Sequence, residues 1–240
     1  MAHLFRFYVS PDTSSAGEIA LPPEEAHHAL HVVRVATGDS VILFDGQGRE
    51  IEGVVSRATH RDVFVACDRV RCVPPSLVRV AVLQAWMLRE KSVEFVIQRG
   101  TELGVAHFCF FRARHSEKAP RLNPKWRRLA VETCKQCGRA WLPTFEVAAD
   151  LNSALETAQG TLLLATSSLP PTPLRQALAG KEESILIGPE GDFAPEELRL
   201  AQDHGAIPIS LGPAVYRSEI AATLAAALVL YELGQLGPPG

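Results

Sequence analysis

The chain has 240 residues, with 24 lysines and arginines against 27 aspartates and glutamates, a formal net charge of −3. That balance excludes a protein that coats nucleic acid with a uniformly basic surface, so any RNA-binding charge must be concentrated on one face. The length leaves room for one large domain, or a small one joined to a medium one, with a real core in either case.

Met1 to Ser10 already mixes Arg6 into an alternating pattern, unlike a secretory leader. The longest apolar stretch, Ile220 to Tyr231, is broken by Thr223 and falls short of the ~20 residues that span a bilayer. These features predict a cytoplasmic protein with no membrane partner. The five cysteines read as reduced, mostly buried thiols.

From the N-terminus, "FRFYV" and "DSVILFDG" alternate between Gly, Pro and Asp turns, which predicts a small β-barrel or sandwich. One helix interrupts it in "PPEEAHHALHVVRV", where Pro22 and Pro23 precede Glu24 and Glu25. His27 and His31 share a face of that helix, and without an acidic partner they read as RNA-facing or packing residues rather than metal ligands. "CVPPS", residues 72 to 76, marks a linker, dividing the chain into domains 1–73 and 74–240.

From Arg79 the rhythm becomes strand, helix, strand, helix: "VRVAVLQAW", "KSVEFVIQRGTELG", "HFCFF", "NPKWRRLAVETCKQCGRA", "TLLLAT", "TPLRQALAG", "SILIG", "APEELRLAQDHG", "IPISLG" and "SEIAATLAAALVLYEL". Such alternation predicts an α/β domain with a mainly parallel sheet. Cys134 and Cys137 lie within a helical pattern with no second pair at zinc spacing, so they read as packed thiols, and no metal is expected. The Ala-rich closing helix reads as a tightly packed core or subunit-contact element.

Parallel sheets bind ligands outside the carboxyl ends of their strands. Three such ends carry breakers: "ATSS" after Leu164, "GPEGDF" after Ile187 and "GPAVYRSE" after Leu211. Gly188, Gly191 and Gly212 would let a ligand approach the backbone, with Leu163, Ile187 and Leu211 as apolar walls. No G-x-G-x-x-G follows a strand and no Walker loop is present, which favours a nucleoside-like ligand held by backbone hydrogen bonds.

"LIGPEGDFAPEE" and "LGPAVYRSEIAATLAA" resemble the two C-terminal motifs of the SPOUT class of S-adenosylmethionine-dependent methyltransferases. More narrowly, the chain resembles the ribosomal RNA small subunit methyltransferase E family, with "HHALHVVRVATGD", "LFDGQGRE", "QRGTELGV" and "KWRRLAVETCKQCGRAWLP" extending the match along nearly the whole length. The resemblance implies a PUA-like β-barrel that grips RNA, followed by an α/β trefoil-knot domain that binds S-adenosylmethionine. The implied activity is methylation of N3 of a uridine in 16S rRNA by a homodimer formed through the knot and last helix.

The resemblance further implies a cofactor pocket of Leu164, Ala165, Thr166, Ile187, Gly188, Pro189, Glu190, Gly191, Leu211, Gly212, Tyr216, Arg217, Ser218 and Ala221, and RNA contacts at His27, His28, Arg34 and Arg49. The family's Arg-Thr-Glu-Thr-Ala reads Arg217, Ser218, Glu219, Ile220 and Ala221 here, and its Glu-Gln-Ser-x-Arg reads Lys135, Gln136, Cys137, Gly138 and Arg139. N3 of uracil is protonated at neutral pH, so transfer needs a base or a cation that stabilises the anion. Glu190 and Glu219 are the candidate bases, and Arg217 and Arg139 the candidate cations. Glu219 equally suits the helix dipole in a first turn. A non-catalytic RNA-binding protein, or a methyltransferase for another base, stays open, while Gly188, Gly191, Gly212 and Arg217 favour the enzyme.

Overall fold

The computed structural model describes residues 4–237. Contacts divide the chain into two compact units, Met1–Pro75 with Val131–Leu142, and Ser76–Ala130 with Pro143–Gly240.

In the first unit, strands β1 (Phe5–Tyr8), β2 (Glu18–Ala20), β3 (Ser40–Phe44), β4 (Arg49–Ala58) and β5 (Val63–Cys72) form one sheet in the order β1-β3-β4-β5-β2. β1 pairs parallel with β3, and the other pairs are antiparallel. Alternation buries Val41, Leu43, Ile51, Val55, Val63 and Val65 with Phe7 in one core. Between β2 and β3 the expected single helix divides into α1 (Pro23–His28) and a π-helical turn, Ala29–Val33. The widened turn closes with Val35 N donating to Ala29 O at 2.9 Å, so that Ala26, Ala29 and Val35 all enter the core. Arg34, at φ 63°, is left exposed on the far side.

The second piece of this unit completes it with charge. α3 (Pro124–Cys137) brings Val131 and Cys134 onto Phe44, and Lys135 Nζ stands 3.0 Å from both Glu25 Oε2 and Glu132 Oε1. The base at position 135, a departure from the family pattern, is therefore the partner of a buried acid. Burial pushes the Glu25 carboxyl above its ordinary value, and Lys135 pulls against that rise. Burial also opposes the charge on Glu50, yet hydrogen bonds from Arg71 and Arg6 outweigh it and hold this carboxyl below its ordinary value. Asp45 Oδ1 accepts from the backbone N of Gln47 and Arg49, shaping a turn whose Gly48 N donates to Ala140 O at 3.1 Å.

The second unit is a six-stranded, wholly parallel sheet of β6 (Arg79–Ala85), β7 (His107–Phe111), β8 (Thr144–Ala148), β9 (Thr161–Ala165), β10 (Glu182–Ile187) and β11 (Ile207–Ile209), ordered β11-β9-β10-β6-β7-β8. β8 was not foreseen: "TFEVA" is an edge strand whose residues are mostly part-exposed or exposed, so it carries little apolar signal. The short α4 (Leu151–Glu156) after it, capped by Asp150 accepting from Ser153 N at 2.8 Å, was also missed. α5 (Leu174–Ala177) is a single turn, whereas α2 (Glu90–Leu103), α6 (Pro195–Asp203) and α7 (Ser218–Glu232) follow the expected helices.

Strand residues alternate between two cores. Val80, Val82, Phe108, Phe110, Leu163, Ile185 and Ile187 pack with α2 and α7. Leu83, Cys109, Phe111, Leu162, Leu164 and Leu186 pack with α4 and α6. α7 buries Ala222, Ala225, Ala226, Val229 and Leu230, as an Ala-rich core helix should. The thiols differ from expectation: Cys109 and Cys134 are buried, but Cys72 and Cys137 are exposed. Burial pushes the Cys109 thiol up to about 11. Among the described residues, no helix is long and apolar enough to cross a membrane, and no three His, Cys, Asp or Glu side chains gather as metal ligands.

Candidate cofactor and methyl-transfer site

The parallel register sets four strand positions side by side: Ile209 pairs with Ala165, Ala165 with Ile187, and Ile187 with Gln84. The strands therefore release their loops from one line, and the loops after β9, β10 and β11 wrap a cavity of about 370 Å3. The first turn of α7 meets it too, with Arg217 as the N-cap residue. Ile187, Leu211 and Ala221 supply apolar wall, while Glu190, Asp192 and Arg217 bring charge. A concave apolar site with a few convergent polar groups suits a nucleoside-sized ligand.

Most of the residues expected at the pocket do line it: Ala165, Thr166, Ile187, Gly188, Pro189, Glu190, Leu211, Gly212, Tyr216, Arg217, Ser218 and Ala221. Leu164 does not, because strand alternation places it in the core against α4 and α6. Gly191 lies outside the lining as well, and a Cβ there would stand 3.2 Å from His115 Cβ. Glu219 sits in the first turn of α7, also off the lining. Arg139 belongs to the first unit, where its carbonyl accepts from Arg6 at 3.2 Å.

Backbone freedom is used differently from what the glycines suggested. Gly212 has φ 113°, whereas neither Gly188 nor Gly191 has a positive φ. In the turn after β10 the left-handed residue is Asp192, at φ 58°. Its Oδ1 accepts from Phe193 N at 2.8 Å and its Oδ2 from Ser168 Oγ at 3.1 Å, which ties the β9 loop to the β10 loop. Glu190 Oε1 accepts from Leu88 N at 3.0 Å, leaving the second carboxylate oxygen without that duty.

Asp192, Ser167, Ser210, Ala214 and Val215 line the cavity without having been singled out. All five lie in or beside the three quoted breaker stretches, so reading every residue of those loops would have found them. Gln84 was missed altogether, although a polar residue in a run as apolar as "VRVAVLQAW" is itself a signal in a strand covered on both faces.

Of the residues expected at RNA, His27 and Arg34 are exposed and His28 is half-buried, edge-on to Phe7. His27 and His31 do share a face, with ring centroids 4.6 Å apart. Arg49 is a brace: its guanidinium donates to Asp45 Oδ2 at 3.1 Å and to the carbonyls of Thr13 and Pro11 at 2.8 Å each.

A parallel α/β sheet with a backbone-lined cavity at one line of strand ends defines an α/β fold that takes its ligand outside the carboxyl ends of its strands. The chain matches the RNA methyltransferase domain family over residues 74–230 and the RNA methyltransferase PUA domain family over residues 21–66. It belongs to the RNA methyltransferase domain family.

More particularly, it is similar to proteins named Ribosomal RNA small subunit methyltransferase E, as the motifs implied. The Mycobacterium bovis protein is 29% identical over 238 residues, covering 94% of this chain and 90% of the relative. The Bacillus subtilis protein is 24% identical, covering 90% and 91%. Among solved structures, a putative methyltransferase from Legionella pneumophila in complex with bound cofactor SAM superposes with TM-score 0.83 at 27% identity, covering 95% of this chain and 97% of that one. The Ribosomal RNA small subunit methyltransferase E from Neisseria gonorrhoeae, at 22% identity and TM-score 0.84 over 95% and 98% of the two chains, shares the fold.

Proposed function

We propose that this chain transfers a methyl group from S-adenosylmethionine to N3 of a uridine in 16S rRNA of the small ribosomal subunit, in the cytoplasm. The observation that carries the reading is the cavity at the aligned ends of β9, β10 and β11, lined by backbone turns and apolar side chains. Its donor set fits the cofactor. Ile187, Leu211 and Ala221 would flank the nucleoside, the turns at Gly188 and Gly212 would read its polar edges, and Glu190 with Asp192 suits a positively charged ligand. When bound, the cofactor supplies an electrophilic methyl.

The chain's own residues must orient the uracil and deal with its N3 proton. Arg217, at the N-cap of α7 on the cavity wall, stabilises charge that develops on the base as the proton leaves. Glu190 is the candidate acceptor of that proton through the oxygen not bonded to Leu88 N, and Glu219 the alternative. The PUA-like unit contributes RNA affinity through His27, His28 and Arg34, while Arg49 holds the loop in place. We further propose that the active form is a homodimer through the knotted pocket region and α7, in which Arg139 of one subunit serves the site of the other.

The test has three arms. Small-subunit RNA from a strain lacking the gene should lose 3-methyluridine by mass spectrometry and regain it on adding back the protein. Arg217→Ala should cut turnover about 100-fold, the size of one lost transition-state charge interaction, with S-adenosylhomocysteine binding retained. Subunit exchange between Arg217→Ala and Arg139→Ala proteins should recover activity approaching about a quarter of wild type if the site is shared. No recovery after proven exchange rejects the shared site, and unchanged 3-methyluridine in the deletion strain rejects the target base.

A further inference from the structure

Gln84 is the fourth of the aligned strand positions beside the pocket, yet it is not part of the cavity lining. It is fully buried, and its Nε2 lies 2.9 Å from Ala85 O, 2.8 Å from Ser218 Oγ and 3.4 Å from Gly188 O. Two of these are carbonyl oxygens that can only accept, so the amide nitrogen must face them and Oε1 must face away. Oε1 is left without a hydrogen bond. Ser218 Oγ, accepting from Gln84, has its one proton for Gly188 O at 2.5 Å. The direction of the relay is thus forced: Gln84 N–H to Ser218 O–H to Gly188 C=O.

The relay joins three separate segments, the end of β6, the turn after β10 and the first residue of α7. Gly188 and Ser218 are cavity wall. A methionine would fill the same space without a buried, unpaired oxygen, but it would also take the donor away from Ala85 O and Ser218 Oγ. On the reading that the cavity holds S-adenosylmethionine, we propose that Gln84 is a positioning residue which, through Ser218, fixes the Gly188 turn and the start of α7 in their binding geometry. This also assigns the Ser218 hydroxyl: it serves wall-to-wall geometry through a proton given to Gly188 O, and the family's threonine would offer the same group.

The experiment is calorimetry of the full chain with S-adenosylhomocysteine, on wild type, Gln84→Met, Ser218→Ala, the double variant and Ser218→Thr, well below each melting temperature. Gln84→Met and Ser218→Ala should each weaken binding about tenfold, the double variant no more than either alone, and Ser218→Thr should stay within about twofold of wild type. A merely structural role would lower the melting temperature of Gln84→Met but leave its affinity, measured well below that temperature, at the wild-type value. Wild-type affinity in both single variants, or losses that multiply in the double, overturns the relay. Absence of binding by wild type overturns the cofactor reading on which it rests.

Discussion

The two compact units handle buried polarity in opposite ways. In the first, carboxylates go inside with cations: Glu50 beside Arg6, Glu25 beside Lys135 and Asp45 beside Arg49, each acid at least nine-tenths buried at its side chain. In the second, ion pairs such as Arg114 with Glu196, Lys125 with Glu94 and Arg175 with Glu232 stay at the surface, and the polar groups held inside are neutral amides and hydroxyls such as Gln84, Ser184 and Ser218, or a carboxyl such as Glu183 that burial pushes up toward its neutral form. The difference follows from architecture. A small sheet with a modest apolar core gains definition from a few directed charge pairs, whereas a parallel sheet covered on both faces already has its core and keeps charge for the cavity.

The sharpest break in that comparison comes from removing one buried cation. Lys135→Met takes the cation from buried Glu25, leaves it a backbone hydrogen bond from Tyr8, and should cost about 3 kcal/mol, read from the denaturant midpoint. Arg175→Ala, which removes a surface pair in the second unit, should leave the midpoint where it was. Equal losses would erase the distinction between the units.

Next in size is the response to acid. Glu50 has a folded pKa below its unfolded one, so the stability it contributes is present above the ordinary carboxylate value and is lost as pH falls through the folded one. The thermal midpoint should drop as pH is taken from about 5 to about 3. Glu50→Gln should cost about 2 kcal/mol at neutral pH and flatten that drop, because the charge-assisted bonds to Arg6 and Arg71 are gone before titration begins.

The smallest effect on the fold, though a clear one on the ligand, is expected at Gly212. An added Cβ would meet only Tyr216 Oη at 3.9 Å, so crowding is no obstacle, but φ 113° is a conformation that a branched side chain resists. Gly212→Val should weaken S-adenosylhomocysteine binding about tenfold by calorimetry, with little change in the circular dichroism spectrum. A variant that binds normally shows that the loop after β11 can move without loss, and that the second unit's site is less preorganised than its core.

Much of the second unit was legible because its signal is local and repeated. Apolar runs broken by small or polar residues after Leu164, Ile187 and Leu211 located the pocket, since a parallel sheet must release its strands on one side. What escaped depends on three-dimensional register. Nothing in "ILIGPEGDF" says that Asp192 rather than a glycine takes the left-handed position, because that follows from its carboxylate reaching Ser168 and Phe193 N. The bracing bonds of Arg49 were likewise invisible in the sequence, since their acceptors at Thr13 and Pro11 lie in a loop some forty residues earlier. Leu163 and Leu164 differ by one position, and strand alternation sends them to different cores.

The membership of Val131–Leu142 in the first unit has a consequence for how the chain is made. A ribosome releases residues in order, and domains form as their sequence emerges. When Pro75 has appeared, the five strands of the N-terminal sheet exist, but Phe44 has no Val131, Cys134 or Leu142 against it and Glu25 has no Lys135. Those partners arrive only after β6, α2 and β7 have been synthesised. The unit begun first is therefore finished late, by contacts of long sequence separation, and the nascent sheet must wait with an aromatic ring and an unpaired acid exposed until the end of α3 reaches it.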